Sequence, residues 1–415
     1  MNIFIADYLP IKNKGEEALL RGIESLYKEK YKEDINFFVF GQSDEIEHDG
    51  NITSFPVKWC YPTYKYPKKF AGRVGFIKRL LCSLTYQIGL SPYVSEVEKH
   101  SEVMSAFAKA DKILLAHDGF YNAFCAALGL FLKKKGYNYS VPGTGFMPQT
   151  KYGFFTKGLD YKFYNNSDYN VFREQTCFDY VNGMNLKRVP YLLPDMAFYC
   201  KTSDRDVERS KAILDKYNIG KDQNEISIGL TMCENSISFH GSFLNMPNKS
   251  DVHRNFIAQL LDNVSNNINC KFYFIPHCIE KGAGDDLVIA EDIINRMKNK
   301  DRVVIIREDL PVNVLRPILH NLDFVLGERT HSIINSTSMC TPYFMLTCKM
   351  DFRSHDIIGK GIGLPNQIID LDSPRIDDVT ATVIKGISNR KSIKQHLESY
   401  KSIVAKSRET LLSII

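Results

Sequence analysis

The sequence lacks any apolar run of the length that a membrane span requires, although 44% of its 415 residues are hydrophobic and 24% are charged. A spanning helix needs about 20 consecutive apolar residues. Residues 1–7 form only a short apolar stretch that reaches an acid at once, which is not typical of a signal peptide. These features predict a globular protein of the cytoplasm.

The ten cysteines show no CxxC pair and no spacing typical of metal ligands. Most of them lie in apolar surroundings, which favours reduced, buried thiols over a disulfide framework. Histidines and carboxylates do not form a cluster with metal-ligand spacing either, so we expect no obligatory metal. Internal repeats and low-complexity segments are also lacking.

A strong excess of charge is missing as well, since the net charge is only +5 and the isoelectric point is near 8.5. This mild value is not typical of a nucleic-acid-binding protein, but it suits a small polyanionic substrate. Residues 57–95 form a basic and aromatic insert, which suits either peripheral association with an anionic membrane or a solvated surface segment. The predicted location is therefore the cytoplasm or the inner face of the membrane.

Alternating strand-type and helix-type segments run along the chain, and its length favours two domains. Short apolar runs begin at Asn2, Asn36, Lys112, Tyr139 and Tyr169 in the first half, and the alternation restarts after a polar helix at 204–217. We predict an α/β fold with two Rossmann-like domains facing a cleft, at 1–200 and 201–415, and a helical segment at the C-terminus.

The loop that follows the apolar run at 323–326 carries the densest set of reactive side chains. Arg329 and His331 alternate across Thr330, and Ser332 follows them. Arginine suits bidentate contact with carboxylate or phosphate, and histidine suits proton transfer near neutral pH. A helix that starts here would add backbone N–H donors for an anion. An anion site with an acid or base is one interpretation, and a surface loop with an ordinary ion pair is the other.

Further polar residues follow other predicted strands. The loop 13–16 contains Asn13, Gly15 and Glu16, and the Gly/Pro-rich loop 142–148 can cradle a ligand but lacks P-loop spacing. Arg173 and His277 each follow a strand; Arg173 can instead pair with an acidic neighbour, and His277 can cap the next element. The carboxylates that could act as a base share a position after a strand: Glu16, Asp118, Asp195 and Glu328.

Taken in order, several segments resemble the polysaccharide pyruvyl transferase family. They are Asn-Lys-Gly-Glu-Glu-Ala at 13–18, Gly-Thr-Gly at 143–145, Val-Phe-Arg-Glu at 171–174, Pro-Asp-Met-Ala-Phe at 194–198, Pro-His at 276–277 with Asp-Asp at 285–286, and Glu-Arg-Thr-His at 328–331 followed by Thr-Pro at 341–342. The resemblance implies a GT-B-like fold and transfer of a pyruvyl group from phosphoenolpyruvate to two sugar hydroxyls as a cyclic ketal.

The resemblance also implies roles for the loop residues. Expected catalytic groups are His331, His277 and Glu16, with the acid and the base not distinguished. Expected ligands of phosphoenolpyruvate are Arg329, His331, Arg173, Thr330 and Ser332. The sugar acceptor, whether nucleotide-linked or lipid-linked, is expected to contact Asn13, Gly15, Asp118, Gly143 and Thr144. No cofactor beyond the donor substrate is expected.

The chain departs from the usual family pattern at two loops, where it has Gly15-Glu16 and His117-Asp118. These departures leave the acceptor open. Two alternatives also remain: a nucleotide-sugar glycosyltransferase of the same GT-B architecture, and a family member that binds glycans without catalysis.

Overall fold

The computed structural model describes residues 1–41, 51–59, 97–119, 123–146, 153–222, 224–234, 248–279 and 285–415, together with residues 77, 81, 84, 85 and 94. Most of the predicted insert at 57–95 therefore lies outside the described residues. The chain divides into two compact units. Unit 1 comprises residues 1–11, 23–196 and 409–415, and unit 2 comprises residues 12–22 and 197–408.

Unit 1 is built on parallel strands whose apolar runs are buried. They are β1 Asn2–Tyr8, β2 Asn36–Gly41, β3 Ile52–Pro56, β4 Lys112–Leu114, β5 Val141–Thr144, β6 Asn170–Phe172 and β7 Tyr191–Leu192. The orders are β3-β2-β1-β4 and β5-β6-β7, and a parallel bridge between Leu114 and Ser140 joins β4 to the start of β5. The order 3-2-1-4-5-6 is that of a Rossmann sheet.

Helices cross over between these strands, as parallel pairing requires. They are α1 Lys14–Tyr31, α2 Ser101–Lys109, α3 Ala123–Lys134, α4 Gly153–Asn166 and α5 Gln175–Asn182. Helix α1 has Glu16 and Glu17 in its first turn and Lys28 and Lys30 in its last, which complements the helix dipole. Its first turns belong to unit 2 and its last turns to unit 1.

Unit 2 repeats the same strand order. Its strands are β8 Ile226–Thr231, β9 Cys270–Phe274, β10 Val303–Ile305, β11 Phe324–Gly327, β12 Tyr343–Thr347 and β13 Ile368–Asp370, arranged β10-β9-β8-β11-β12-β13 and all parallel. Its sheet reverses direction of winding between β8 and β11. In open α/β sheets, ligands bind at the carboxyl ends of the strands at such a switch point.

The helices of unit 2 are α6 Asp204–Tyr217, α7 Lys249–Asn267, α8 Asp286–Arg296, α9 Val312–His320, α10 Thr330–Ser338, α11 Ile376–Ser388 and α12 Arg390–Ile414. The end of α12, from Glu409, belongs to unit 1. A π-helical segment, His355–Gly361, lies between β12 and β13. Within the described part of the chain, no helix is long and apolar enough to cross a membrane.

The predicted domain boundary at 200/201 lies four residues from the junction of the two units at 196/197. The larger difference is the segment Lys12–Gly22, which was assigned to the N-terminal domain but makes its contacts within unit 2. Two strands, β3 and β13, were not predicted.

Candidate functional site in unit 2

The loop after β11 is anchored by a fully buried carboxylate. Glu328 Oε2 accepts the backbone N–H groups of Cys233 and Glu234, both at 2.9 Å, and Oε1 lies 2.6 Å from Nε2 of His253. Cys233 and Glu234 follow β8, so Glu328 ties together the two loops at the switch point. Both carboxylate oxygens of Glu328 are thus occupied by hydrogen bonds inside the protein.

His253 and Glu328 form a buried pair on which burial and charge act in opposite directions. Burial lowers the pKa of His253, but the Glu328 carboxylate raises it, and the net pKa is above the ordinary value. Burial raises the pKa of Glu328, but His253 and the two backbone N–H groups lower it by more. The net pKa is therefore below the ordinary value. At slightly acidic pH, His253 is therefore protonated and Glu328 is ionised.

Arg329 is fixed by Asp286, which lies in the first turn of α8. Nε of Arg329 donates to both carboxylate oxygens of Asp286 at 3.1 and 2.9 Å, and Nη2 donates to Oδ1 at 2.5 Å. The same carboxylate accepts the backbone N–H groups of His277 and Cys278, both at 2.9 Å. One acid thus connects the loop after β9 with the loop after β11.

His277 is fully buried and its tautomer follows from its contacts. Nδ1 lies 3.2 Å from the carbonyl oxygen of Ile275, which can only accept, so Nδ1 carries the proton. Nε2 is then a bare acceptor, and it has no hydrogen-bond partner within the described residues. Burial lowers the pKa of His277 to about 3, and Arg329, Lys14 and His331 nearby act in the same direction.

Asn13 and the first residues of α1 pack on His277 and His331. Lys14 N–H donates to the carbonyl of His277 at 2.7 Å, and Asn13 pairs with Cys278 in an antiparallel bridge. A Cβ added to Gly15 would lie 2.6 Å from Cγ and 2.8 Å from Cβ of His331. Only glycine allows this close approach of backbone to ring.

Lys14 is buried, and its ammonium lies 2.5 Å from Asp309 and 3.4 Å from Glu17. Glu17 also accepts the N–H of Val312, the first residue of α9, at 3.1 Å. Glu17 lies in the first turn of α1, and its carboxylate also accepts a hydrogen bond at the start of a different helix, α9. Burial raises the pKa of Glu17, while Lys14 opposes that rise.

A second charged cluster lies within unit 1 and surrounds Arg173. Its guanidinium pairs with Asp118, with Asp195 at 2.6 Å and with Glu174 at 3.4 Å, and its side chain is fully buried. Burial lowers the pKa of Arg173, but the three carboxylates raise it well above its ordinary value. The pairing with acidic neighbours, one of the two sequence interpretations, is what the structure shows.

The glycine-rich loop of unit 1 closes around this cluster. Gly143 adopts φ +121°, and a Cβ there would lie 3.1 Å from Met196. Thr144 Oγ1 donates to the carbonyl of Asp118 at 2.9 Å. A Cβ at Gly145 would overlap the carboxylate of Glu174, so this glycine is required by the cluster.

The family model for polysaccharide pyruvyl transferases matches residues 13–349, which include both clusters. The chain belongs to this family. The predicted family is thereby confirmed, and with it a transferase family whose members act on polysaccharides. None of the curated proteins matches the chain.

Solved structures share the fold along nearly the whole chain. A UDP-GlcNAc 2-epimerase from Neisseria meningitidis bound to UDP-GlcNAc is similar with TM-score 0.54 and 10% identity, covering 100% of this chain and 99% of that one. A putative UDP-N-acetylglucosamine 2-epimerase from Listeria monocytogenes gives 0.56 and 10%, with coverage of 96% and 90%. The N-terminal domain of a Candida albicans trehalose-6-phosphate phosphatase gives 0.57 and 10%, with coverage of 100% and 98%. At such identities only the GT-B-like α/β fold is shown, and that prediction is confirmed.

In this family member, the predicted residues fall into two groups. Unit 2 brings together Asn13, Gly15 and Glu16 with His277, Arg329 and His331, which are about 260 to 320 residues away along the chain. Unit 1 holds Asp118, Gly143, Thr144 and Arg173. Asn13 and Gly15 were expected on the acceptor side and instead make their contacts beside the donor candidates.

The hydroxyls of Thr330 and Ser332 are both engaged within unit 2. Thr330 Oγ1 lies 3.0 Å from Oγ of Ser354, and Ser332 Oγ lies 2.6 Å from Oγ1 of Thr231 and donates to the Arg329 carbonyl at 2.7 Å. Glu16 is buried, with 3% of its surface exposed. The roles of these three residues in binding or catalysis stay predictions.

Sequence reasoning missed Asp286, Lys14 and His253 as members of the site. Asp285 caps helix α8 by accepting the N–H of Leu287 at 3.0 Å, so Asp286 is not needed for that task. The doubled acid at 285–286 was the available signal, because one of two adjacent acids is left over after capping. Within the described residues, no group of histidines, cysteines and acids has metal-binding geometry.

Proposed function

We propose that this protein transfers a pyruvyl group from phosphoenolpyruvate to two hydroxyls of a sugar, giving a cyclic ketal in the assembly of a surface polysaccharide or glycan. The observation that carries the proposal is the convergence of Lys14, His277, Arg329 and His331 at the switch point of unit 2, in a member of the pyruvyl transferase family. The protein would work in the cytoplasm or at the inner face of the membrane.

Phosphoenolpyruvate carries a carboxylate and a phosphate, so its site must supply several donors. The side chain of Arg329 is 19% exposed, and its planar guanidinium matches either anion. Helix α10 begins at Thr330, and its N-terminal N–H groups and dipole favour an anion at the same place. His331 lies in the first turn of this helix.

The reaction balances without a metal or a further cofactor. Carbon 3 of phosphoenolpyruvate gains one proton and becomes a methyl group, and carbon 2 forms bonds to two sugar oxygens. The bond between carbon 2 and the phosphate oxygen breaks, and its electron pair leaves with the phosphate. The two hydroxyls release two protons in total, of which one is matched by the methyl group and one leaves with phosphate. General acid–base groups are what this chemistry needs from the protein.

The residues that we propose for the acceptor form one group in each unit. Asn13 and Gly15 lie beside His277 and His331, and Asp118, Gly143 and Thr144 belong to the unit 1 cluster. A sugar acceptor, nucleotide-linked or lipid-linked, is proposed as the second substrate.

A thermal shift panel tests the proposal, because a ligand that binds only the folded state raises the apparent melting temperature. Phosphoenolpyruvate is expected to raise it, and Arg329→Ala is expected to abolish the rise. Arg307→Ala is a matched control, since Arg307 lies on unit 2 in an exposed ion pair with Glu291. A rise with a nucleotide sugar alone would instead favour a glycosyltransferase.

His331→Ala is predicted to lower turnover far more than donor affinity. Loss of one general acid or base typically costs about 100-fold to 10,000-fold in rate. Steady-state rates with phosphoenolpyruvate, compared with its dissociation constant, check the prediction. Wild-type turnover in this variant would remove His331 from the acid–base chemistry.

A further inference from the structure

Asp286 makes more contacts than its position on a helix requires. Its carboxylate is buried, with 3% of the residue exposed, and it accepts hydrogen bonds from Arg329, from the N–H of His277 and from the N–H of Cys278. Asp285 already caps α8. The contacts of Asp286 therefore serve the two loops at the ends of β9 and β11 and not the helix.

Each contact fixes a group in the loop after β9 or in the loop after β11. Bidentate pairing holds the Arg329 fork in one orientation, because two parallel N–H···O bonds leave little rotational freedom. The bonds to the N–H groups of His277 and Cys278 hold the peptide from which the His277 ring projects. That ring is then oriented by its own bond from Nδ1 to the Ile275 carbonyl.

The consequence is a bare lone pair held next to a guanidinium. Nε2 of His277 has no hydrogen-bond partner within the described residues, although it is buried beside Arg329, Lys14 and His331. A buried acceptor without a hydrogen-bond partner costs free energy, so we expect a bound ligand to donate a hydrogen bond to Nε2. Burial, together with the charges of Arg329 and Lys14, lowers the pKa of His277 and keeps its ring neutral.

We propose that Asp286 is a positioning residue that sets the donor ligand Arg329 and the proton acceptor His277 in a fixed relation, with Nε2 of His277 taking the proton of the attacking sugar hydroxyl. This inference rests on the proposed function and deepens it, because it distinguishes the base from the acid. His331 is then the group that supplies a proton to carbon 3.

The proton transfers balance over one turnover. The first hydroxyl gives its proton to Nε2 of His277 as its oxygen bonds to carbon 2, and the C2=C3 electron pair takes a proton from His331. Phosphate leaves with the C2–O electron pair, and the second hydroxyl adds to carbon 2 while its proton leaves with phosphate. Exchange of one proton with water returns His277 and His331 to their starting states.

The test compares Asp286→Asn, Asp286→Glu and the matched control Asp285→Asn, all in the full chain. Asp286→Asn keeps the size but loses the charge and one acceptor oxygen, and Asp286→Glu keeps the charge. Loss of hydrogen bonds to a charged group is expected to weaken phosphoenolpyruvate binding about 10-fold to 100-fold in Asp286→Asn. Its kcat is expected to fall by more than the affinity, with partial recovery in Asp286→Glu.

Asp285→Asn weakens the helix cap and is expected to leave the affinity for phosphoenolpyruvate and kcat within about twofold of the wild type. Circular dichroism below the unfolding transition selects the conditions under which each variant is folded. A purely structural role predicts a lower melting temperature in Asp286→Asn with the affinity and kcat of the folded protein unchanged. That result, or equal behaviour of Asp286→Asn and Asp285→Asn, would overturn the inference.

A second readout addresses His277 directly. Nitrogen-15 NMR of histidine-labelled protein, assigned with His277→Gln, is expected to show the Nδ1–H tautomer without titration between pH 5 and 8. The Nε2–H tautomer would overturn the base assignment, because Nε2 would then have no lone pair with which to accept a proton. Failure of the wild type to bind or turn over phosphoenolpyruvate would refute the proposed function instead, so the two failures are distinguishable.

Discussion

At the scale of single residues, the contact between Gly15 and His331 is the most restrictive feature of the site. The ring of His331 occupies the space that a side chain at position 15 would need. Gly15 N–H also donates to Oδ1 of Asn13 at 3.0 Å, which fixes the turn before α1. Close packing, and not a positive φ, therefore explains the glycine.

Gly15→Ala is predicted to displace the His331 ring and to lower turnover by at least about 10-fold, since misplacement of a reacting group by about 1 Å can cost about 100-fold. Gly158→Ala is the matched control, because Gly158 lies in α4 with nothing within 4 Å of its added Cβ. That control is expected to stabilise the fold by about 0.5–1 kcal/mol and to leave turnover unchanged. Equal turnover in both variants would show that His331 tolerates movement.

Arg329 and His331 could be grouped from the sequence because a single loop carries both residues. Arg329 and His331 stand two positions apart after an apolar run, and the structure places both beside His277. Asp286 and Lys14 could not be assigned in this way, because their partners are 43 residues away in Arg329 and 295 residues away in Asp309. Such contacts depend on which strands are neighbours, and periodicity does not report that.

At the scale of elements, the pair His253–Glu328 connects helix α7 to the loops after β8 and β11. Glu234, which this carboxylate holds through its N–H, has φ +60°, a conformation that is unfavourable for a residue with a side chain. The buried hydrogen bonds of Glu328 offset that cost. The contact between these elements thus fixes the loops that lie next to Arg329.

The pair predicts a pH dependence of stability. The folded pKa of His253 is raised, so its contribution is fully present below 6.5 and is lost as pH rises through the folded pKa. The folded pKa of Glu328 is depressed, so its contribution is present above 4.5 and is lost as pH falls through the folded value. The contribution of the pair to the free energy of unfolding is therefore complete only between pH 4.5 and 6.5.

His253→Gln should remove this dependence on the basic side while it retains a hydrogen-bond donor. The difference in urea midpoint between wild type and His253→Gln is expected to be largest near pH 5.5 and to shrink toward pH 9. A difference that stays constant over this range would show that folding does not raise the pKa of His253.

Most elements were predictable, and the two missed strands have physical reasons. Strand β3 is Ile-Thr-Ser-Phe-Pro, whose middle is polar and whose end is a proline, and β13 is only three residues long after a Gly/Pro-rich stretch. Both lie at sheet edges, where one neighbouring strand suffices and the apolar signal is weak. Their apolar runs are too short to stand out from loops.

At the scale of the whole molecule, the two units have the same strand order, yet different chemistry at the carboxyl ends of their strands. Unit 1 surrounds one arginine with three carboxylates, and unit 2 presents an arginine, a lysine and histidines with a neutral acceptor nitrogen. The segment Lys12–Gly22 belongs to unit 2 although it follows the first strand of unit 1. The predicted boundary at 200/201 did not place this segment in unit 2, because chain order alone does not show where a loop packs.

The most direct test of the central claim is a calorimetric titration of phosphoenolpyruvate into the wild type, Arg329→Ala and Arg307→Ala. We predict saturable binding to the wild type and to Arg307→Ala, and binding that is at least about 10-fold weaker in Arg329→Ala, as expected for loss of a charged hydrogen-bonding partner. Unchanged affinity in Arg329→Ala, or no binding of phosphoenolpyruvate to the wild type, would contradict the assignment of the donor site to unit 2.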